Sequence, residues 1–346
     1  MVNNSQKIRM AQYGTKHSHA PGVLKVTLAN KDVDFVGVYE PDRSRREKLE
    51  KSGEKPWSDV KWIDDVTEIL TDSTIKAISA EGDNSESLDH TEKIVTAGKH
   101  VFLDKPAGDD YARFQNIVTQ AKESNLLIQL GYMFRYHDGF SKIAEWAKSG
   151  FLGHVFSIRG NMSTTSNAAS VISQQHEESR IDMSMRRGGI FYDLACHMLD
   201  QIVWILGRPL KVTSFLRQDD TVIAKSKDNT LGVFEYGGSI ATVDIAAIGP
   251  APCPRRFEVY GTNGWVTMEP FEPADTLRLC LREANADYPA GISTIKIEAR
   301  PRYVASLEAF IKDIRGEKQP DRTLDHELLV QETLLRATGS ISEHGW

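Results

Sequence analysis

The stretch KIRMAQYGTKHSHAPGVLKVTLANKDVDFVGVYE, residues 7–40, decides the fold of the first part of this 346-residue chain. Its two apolar runs, at 7–14 and 33–40, predict strands, and PGVLKVTLAN at 21–30 predicts a helix between them. A strand, a helix and a second strand in this order form a βαβ unit. The two strands of such a unit lie parallel in one sheet.

The alternation of strand and helix continues to about residue 132. Further apolar runs predict strands at 75–81, 100–104 and 126–132, and helical patterns are found at 44–53, 65–73, 91–99 and 110–125. Continued alternation is typical of a doubly wound parallel sheet, the Rossmann architecture, whose ligand crevice lies at the carboxyl ends of the strands. We therefore expect an N-terminal α/β domain of this kind over residues 1–130.

The pattern changes beyond that point. Helices are predicted at 138–150 and 190–207, and several strand-like segments follow, with the turn signals YGG and GTNG that suit antiparallel hairpins. Two more helical segments close the chain. We expect residues 131–346 to form an α+β domain for substrate binding and oligomerisation, built on a large, mainly antiparallel open sheet. The last helices could pack back on the first domain.

The composition excludes several classes of protein. Hydrophobic residues make up 40% of the chain and charged residues 26%, as in an ordinary globular protein. The net charge is −6 and the basic residues are scattered, which argues against a nucleic-acid partner. The densest basic patch is DRSRREK at 42–48, a pattern typical of a solvated helix start.

The cysteines and the apolar runs favour a cytoplasmic protein. Cys196, Cys253 and Cys280 have no short spacing, so neither a cysteine-based zinc site, a redox pair nor a disulfide framework is expected. The N-terminus shows no signal-peptide pattern, and no run of eighteen apolar residues predicts a membrane span. We expect a cytoplasmic protein without a membrane partner.

The first turn, YGTKHSHA, carries part of a dinucleotide-binding fingerprint. When the turn is aligned with the motif G-x-G-x-x-G, Gly14 occupies the position of the first glycine. Lys16 and His19 occupy the positions of the second and third glycines. Glu40 ends the second strand, where a carboxylate can accept hydrogen bonds from a ribose and repel a 2′-phosphate, so NAD is favoured. Arg43 keeps NADP possible. The alternative for Glu40 is an exposed acid at a strand end, and Lys16 could offer its ammonium to the pyrophosphate.

The stretch VFLDKPAGDD, residues 101–110, places Lys105 directly after a strand. Pro106 biases Lys105 away from helical geometry, so the ammonium group stays at the carboxyl end of the sheet, where ligands bind. The alternative is a strand that ends at the solvent and is capped by a charge.

The helix at 190–207 carries polar groups on a largely apolar surface. Asp193, His197 and Asp200 are spaced i, i+4 and i+7, which puts them within about 60° on one helical face. A carboxylate one turn from a histidine fixes its tautomer and raises its basicity, as a base in alcohol oxidation requires. A hydrogen-bonded core histidine and a metal pair stay open as alternatives, although no obvious further ligand follows Asp200 at helical spacing.

Four segments resemble one known family. AGKHVFLDKPAG (97–108), GYMFRYHDGF (131–140), GGIFYDLACHMLD (188–200) and FEVYGTNGWVTMEP (257–270) are similar, in order, to motifs of the glucose–fructose oxidoreductase, inositol dehydrogenase and MocA (Gfo/Idh/MocA) family. The resemblance implies a Rossmann domain, a C-terminal α/β domain whose open sheet forms a homodimer or homotetramer, and a nicotinamide-dependent oxidoreductase of sugars, polyols or related hydroxy compounds.

Residue roles follow from the same resemblance. It implies that Lys105, Asp193 and His197 are catalytic, that the cofactor is NAD with NADP possible, and that no metal is needed. Asn84, in Asp83-Asn84, stands in the family's Pro-Asn element, and Asp104 replaces the commoner glutamate. The cofactor-binding residues expected are Gly14, Thr15, Lys16, His17, Glu40, Arg43, Asn84, Asp104 and Lys105.

Substrate choice is predicted from the polar stretch 161–187 and the junction before it. The candidate substrate residues are Tyr132, Arg135, His176 and Arg187, with solvation, packing or a hinge as alternative roles. Two other functions stay open. One is a non-catalytic relative that binds a nucleotide or sugar as a regulatory or interaction protein, and the other is a metal-dependent lyase or hydrolase on the Asp193/His197/Asp200 face.

Overall fold

The computed structural model describes residues 6–165, 188–219, 227–253, 255–285, 287–298 and 300–342. The chain divides into two compact units. Unit 1 comprises Met1–Gly131 and Arg302–Leu328, and unit 2 comprises Tyr132–Pro301 and Leu329–Trp346. The Rossmann domain and the α+β domain expected from the sequence are both present, as the following elements show.

Unit 1 contains a five-stranded parallel sheet in the order β2-β1-β3-β4-β5. The chain moves from β1 to one neighbour, β2, and then returns to the other side of β1 with β3. This reversal makes the carboxyl ends of β1 and β3 the topological switch point, where open α/β sheets bind their ligands. The strands are Ile8–Tyr13 (β1), Val33–Tyr39 (β2), Ala77–Ala80 (β3), His100–Leu103 (β4) and Ile128–Leu130 (β5).

The helices of unit 1 begin and end at residues suited to those positions. Asp42 precedes α2 and its carboxylate accepts the Arg45 backbone N–H at 3.1 Å, and Gly53 ends the helix at φ 65°. The helices are Ala20–Ala29 (α1), Arg43–Ser52 (α2), Thr67–Leu70 (α3), Ser87–Thr96 (α4), Tyr111–Glu123 (α5), Val304–Ile314 (α8) and Leu324–Ala337 (α9, which continues into unit 2).

Helix α3 is shorter than the predicted segment 65–73. At its start the Asp65 carboxylate accepts the Thr67 N–H at 2.9 Å, which begins the helix at residue 67. Beyond its end Asp72 accepts from Thr74 N at 2.8 Å, a local bond that offers the backbone an alternative to the helix.

The described part of unit 2 forms an eight-stranded sheet in the order β13-β12-β11-β10-β6-β9-β8-β7. The β6–β9 pair is parallel and the other neighbours are antiparallel. The strands are Val155–Asn161 (β6), Lys211–Arg217 (β7), Asn229–Glu235 (β8), Ile240–Ala246 (β9), Arg256–Gly261 (β10), Gly264–Met268 (β11), Thr276–Leu281 (β12) and Gly291–Lys296 (β13).

Two helices of unit 2 precede most of these strands: Asp138–Lys148 (α6) and Ile190–Leu206 (α7). Helix α7 packs closely on the sheet because glycines face it. A Cβ atom on Gly160 of β6 would lie 3.0 Å from Met198, and one on Gly232 of β8 would lie 2.7 Å from Phe191. The core of unit 2 therefore lies between α7 and the sheet, and it fixes the position of the polar residues of α7.

No helix in the described ranges is long and apolar enough to cross a membrane. The polar stretch that the sequence analysis links to substrate choice falls mostly within 166–187. Residues His176 and Arg187 lie outside the described residues.

Candidate active site

The turn after β1 depends on Gly14. Its N–H donates to Tyr39 O at 2.7 Å, which holds the turn against the end of β2. Gly14 has φ 86°, and a Cβ atom there would lie 2.8 Å from the backbone nitrogen of Gly82, beyond the end of β3. The first glycine of the fingerprint is thus required for both its conformation and its space.

Glu40 is buried at the end of β2 and takes part in the same turn. Its carboxylate accepts hydrogen bonds from Thr15 Oγ1 at 2.7 Å and from Asp42 N at 2.9 Å. Arg45 completes the arrangement by donating to Thr15 Oγ1 at 2.8 Å and to Thr15 O at 2.7 Å. The alternative of an exposed strand-end acid is wrong for Glu40, because only 3% of the residue is exposed.

Three other expected cofactor residues have surroundings that the sequence did not indicate. The Lys16 ammonium lies 2.7 Å from a carboxylate oxygen of Glu86. Arg43 is almost fully solvated and lies 3.4 Å from Glu47 in a helical i,i+4 pair. Asn84 is half-buried, and its carbonyl accepts a hydrogen bond from the Ser87 hydroxyl at 2.8 Å.

The turn also brings two histidines onto the carboxylate of Asp104. His17 Nδ1 lies 2.8 Å from Asp104 Oδ2, and His19 Nδ1 lies 3.1 Å from Asp104 Oδ1. The two imidazole rings are 4.6 Å apart, centre to centre. All three side chains are largely buried. Although burial would raise the pKa of Asp104, its contacts with His17 and His19 hold that pKa well below its ordinary value.

Two further groups of unit 1 belong to the same environment. Burial raises the pKa of Glu81 well above its ordinary range, and the negative charge of Asp104 adds to the effect. Burial also raises the pKa of Tyr303 well above its ordinary value, with Asp104 and Glu81 contributing. Tyr303 lies 5.7 Å from the His19 ring, centre to centre. Sequence reasoning missed both residues, because neither belongs to a recognisable spacing with the turn.

Lys105 follows this carboxylate directly at the carboxyl end of β4. Its backbone N–H donates to Asp104 Oδ1 at 2.7 Å. The side chain is 2% exposed, so the alternative of a solvent-exposed charged cap is wrong. The carboxyl edge of a parallel sheet is where ligands bind in folds of this class, so this position suits a functional lysine.

In unit 2, His197 is held within α7 by aromatic rings. It is 1% exposed. The ring of Phe134 lies 5.5 Å away at an interplanar angle of 72°, and the ring of Tyr132 lies 6.0 Å away at 81°. Both rings thus pack against the imidazole in an edge-to-face arrangement.

Asp200, which the sequence places on the same face of α7 as His197, is bound by Arg135. Arg135 Nη2 lies 2.7 Å and Nε 3.1 Å from Asp200 Oδ1, and both residues are fully buried. The Arg135 guanidinium also lies 4.9 Å from the centre of the Tyr132 ring. The proposed metal set of Asp193, His197 and Asp200 is therefore not supported, since the charge of Asp200 is already balanced. Asp193 stays half-buried, one turn before His197.

The first turn fits the adenosine half of a dinucleotide. Gly14 permits the tight turn, and helix α1 begins at Ala20, so its positive end lies where a pyrophosphate binds. An ionised carboxylate can accept about four hydrogen bonds, so Glu40 keeps acceptor capacity for a ribose beside its two protein donors. Lys16 and His19 at the other glycine positions are the part that departs from the fingerprint.

Comparisons with known proteins agree with this fold. Residues 12–132 match the family model described as oxidoreductase family, NAD-binding Rossmann fold, and residues 140–267 match the GFO/IDH/MocA C-terminal domain. Together the two models cover well over half of the chain. An NAD-binding Rossmann domain followed by this second domain defines an NAD(P)-dependent oxidoreductase of the dehydrogenase and reductase class.

The chain belongs to the Gfo/Idh/MocA oxidoreductase family. It is 22% identical over 302 residues to myo-inositol 2-dehydrogenase of Thermotoga maritima, with 84% of each chain covered. It is 23% identical over 288 residues to scyllo-inositol 2-dehydrogenase (NAD(+)) of Bacillus subtilis, with 79% of each covered. The structure of UDP-N-acetylglucosamine 3-dehydrogenase from Acidithiobacillus ferrooxidans has the same fold, with a TM-score of 0.76, 16% identity and 97% of both chains covered.

Proposed function

We propose that this oxidoreductase transfers hydride between a sugar, polyol or related hydroxy compound and NAD. The observation that carries the proposal is that two polar side chains suited to the reaction are buried, Lys105 after β4 in unit 1 and His197 within α7 in unit 2. The two inositol dehydrogenases to which the chain is similar act on polyols, and they support this substrate class. We favour NAD over NADP because the buried carboxylate of Glu40 would repel a 2′-phosphate.

Lys105 positions and polarises the reacting oxygen. A lysine ammonium donates up to three hydrogen bonds and carries a positive charge. Donation to the substrate oxygen stabilises the negative charge that develops when the hydroxyl proton leaves, and it does so most strongly in a buried site. The Asp104–Lys105 backbone contact at 2.7 Å helps to hold this residue at the strand end.

His197 serves as the general base in oxidation and as the general acid in reduction. An imidazole titrates near neutral pH, so it can take a hydroxyl proton in one direction and return it in the other. Asp193, four residues earlier on α7, lies one turn from His197, where a carboxylate can orient the imidazole for the transfer. The rings of Phe134 and Tyr132 keep the imidazole in place during the transfer.

Gly14, Thr15 and Glu40 would hold the dinucleotide, with Asn84 and the loop at Lys105 beside them. The nicotinamide, when bound, supplies the hydride acceptor or donor. Lys16 and His17 belong to the same turn, and Arg43 and Arg45 lie on the adjacent helix α2. Arg45 donates to Thr15 in the turn, so we add it to Arg43 as a basic candidate for contact with the cofactor.

Turnover with and without His197 tests the proposal. NADH formation from NAD and inositols or related sugars is measured for the wild type, His197→Asn and Lys105→Met, with NADH affinity measured separately. We expect His197→Asn to lower kcat about 10²–10⁴-fold while NADH still binds. His154→Ala, at an exposed site of unit 2, is the control. Unchanged turnover in a folded His197→Asn protein would overturn the assignment, and absence of NADH binding would favour the non-catalytic alternative.

We further propose that the open sheet of unit 2 pairs with a second copy of this chain, as a homodimer or homotetramer. The described strands expose several large apolar side chains: Phe156 at 47%, Ile240 at 53%, Phe215 at 58% and Ile292 at 64%. Ile240 is paired in register with Ser157, the neighbour of Phe156, so these two exposed residues lie on adjacent strands. An apolar patch of this kind is typical of a protein–protein interface.

A further inference from the structure

Side chains of the first βα turn meet the residue after β4 in a group to which the proposed reaction assigns no chemical step. His17, His19 and Asp104 each contribute one donor atom, and these atoms all lie within 4.8 Å of one another. Their side chains are 8%, 17% and 3% exposed. Two imidazoles and one carboxylate converge in a buried place where a dinucleotide-binding turn normally has glycines.

One contact in this group is short enough to share a cation. His17 Nδ1 lies 2.8 Å from the buried Asp104 Oδ2, and it also accepts a hydrogen bond from the His19 backbone N–H at 3.2 Å. A nitrogen lone pair and a carboxylate oxygen attract each other at this distance when a proton or a metal ion lies between them. A metal ion can in addition take a ligand atom from His19, whose Nδ1 lies 3.1 Å from Asp104 Oδ1.

We infer that His17, His19 and Asp104 bind one divalent transition-metal ion of the zinc class. Two histidines and one carboxylate are a common set of protein ligands for such ions, with further positions left for water or another ligand. Metal–ligand bonds of about 2.1 Å allow two ligand atoms on one ion to be at most about 4.2 Å apart. The ligand atoms of His17, His19 and Asp104 all lie within 4.8 Å of one another, so small side-chain rotations are enough for all three to bind one ion. Imidazole ligands disfavour Mg²⁺, which prefers oxygen.

The backbone around the three ligands is held by the end of β3. The His17 N–H donates to Glu81 O at 3.0 Å, and the Asp104 N–H donates to Ala80 O at 3.1 Å. Ala80, the last residue of β3, and Glu81, which follows it, thus hold the end of β4 and the turn. Ligands carried on such fixed backbone are preorganised for an ion, in the way that precise metal sites require.

This site goes beyond the proposed function, and no sequence pattern indicates it. His17 and His19 are two residues apart, but Asp104 lies 85 residues after His19. No spacing rule links ligands so far apart, which is why no metal is expected from the sequence. Only the parallel arrangement of β1, β3 and β4 brings them together.

Metal titration of the full chain tests the inference. Protein stripped with a chelator is titrated with Zn²⁺, and separately with Mg²⁺, against a chromophoric competitor in the absence of nucleotide. We expect one Zn²⁺ per chain and much weaker binding of Mg²⁺. His19→Asn and Asp104→Asn keep a hydrogen-bonding side chain of similar size and should weaken Zn²⁺ binding at least tenfold. His154→Ala, which removes an exposed histidine, should leave the stoichiometry unchanged.

Two outcomes would overturn the site: a wild-type protein that binds no Zn²⁺, or variants that bind it as tightly as the wild type. If a variant does not fold, the Co²⁺ spectrum of the wild type decides. Nitrogen and oxygen ligation gives d–d bands without thiolate charge transfer, whereas a thiolate band would place the ion at a cysteine and contradict the proposal. NADH titration of the same stripped sample tests the proposed function separately, since it needs no metal readout.

Discussion

The first turn of unit 1 has no room for a side chain at Gly14. Its φ of 86° and the 2.8 Å that would separate an added Cβ from Gly82 N make any side chain unfavourable there. We predict that Gly14→Ala weakens NADH binding at least tenfold and lowers the free energy of unfolding by more than the 1–3 kcal/mol or so of backbone strain alone. Fluorescence titration with NADH and urea unfolding measure the two effects.

Gly98→Ala is the matched control for this prediction. Gly98 also has a positive φ, 72°, but no atom lies within 4 Å of its added Cβ. The Gly98→Ala variant should therefore lose only about 1 kcal/mol of unfolding free energy and keep the NADH affinity of the wild type. Equal losses in the two variants would show that the close approach to Gly82 has no importance.

His100 makes the stability of unit 1 depend on pH. Its Nδ1 accepts the Leu127 N–H at 3.0 Å, which requires an unprotonated nitrogen. Burial, with the charge of Lys76 in addition, lowers the pKa of His100 to about 4. In the unfolded chain this histidine binds its proton near pH 6.5. Its contribution to the free energy of unfolding is therefore fully present above that pH and is lost as the pH falls towards 4.

We predict that this histidine accounts for about 2–3 kcal/mol of the stability lost between pH 6.5 and pH 4. His100→Asn keeps an acceptor near the Leu127 N–H but does not titrate. Its unfolding free energy, measured in urea at several pH values, should vary less with pH than that of the wild type. If the unfolding free energies of the wild type and of His100→Asn change equally with pH, His100 is not the source of the pH dependence.

At the scale of the elements, a buried ion pair fixes helix α7. Arg135, which follows Tyr132 in unit 2, binds Asp200 of α7 with Nη2 2.7 Å from Oδ1, and both side chains are fully buried. We predict that Asp200→Asn or Arg135→Met lowers the free energy of unfolding by about 3–5 kcal/mol, because each leaves one buried charge without its counterion.

The double variant Arg135→Met/Asp200→Leu separates charge from packing. It removes both charges at once, so it should recover much of the stability lost in the single variants, as measured by urea unfolding. If the double variant loses as much unfolding free energy as the two single variants together, the two residues act independently and the ion pair does not anchor α7.

The elements themselves could largely be predicted from the sequence, whereas the contacts between them could not. Apolar runs predicted all five strands of the Rossmann sheet, and the largely apolar pattern at 190–207 predicted the helix that carries Asp193, His197 and Asp200. The pairing of Asp200 with Arg135 joins residues 65 apart in the sequence. Periodicity describes one element at a time, so it cannot indicate which distant charge a buried carboxylate meets.

At the scale of the whole molecule, the exposed sheet face predicts self-association. We expect the wild type to be a dimer or tetramer by light scattering at micromolar concentration, and Phe156→Glu/Ile240→Glu to shift it towards the monomer. Burying two new charges in an apolar interface would be strongly unfavourable. Leu210→Glu, at a 73% exposed site before β7, is the control. A monomeric wild type would contradict the predicted interface.

The central claim is that this chain is an NAD-dependent oxidoreductase whose altered first turn still binds the cofactor. A fluorescence titration of the full chain with NADH, and with NADPH in parallel, tests it most directly. We predict saturable NADH binding that is at least tenfold tighter than NADPH binding, because the buried Glu40 lies at the end of β2 where the adenosine ribose would bind. Absence of binding by both nucleotides would contradict the claim.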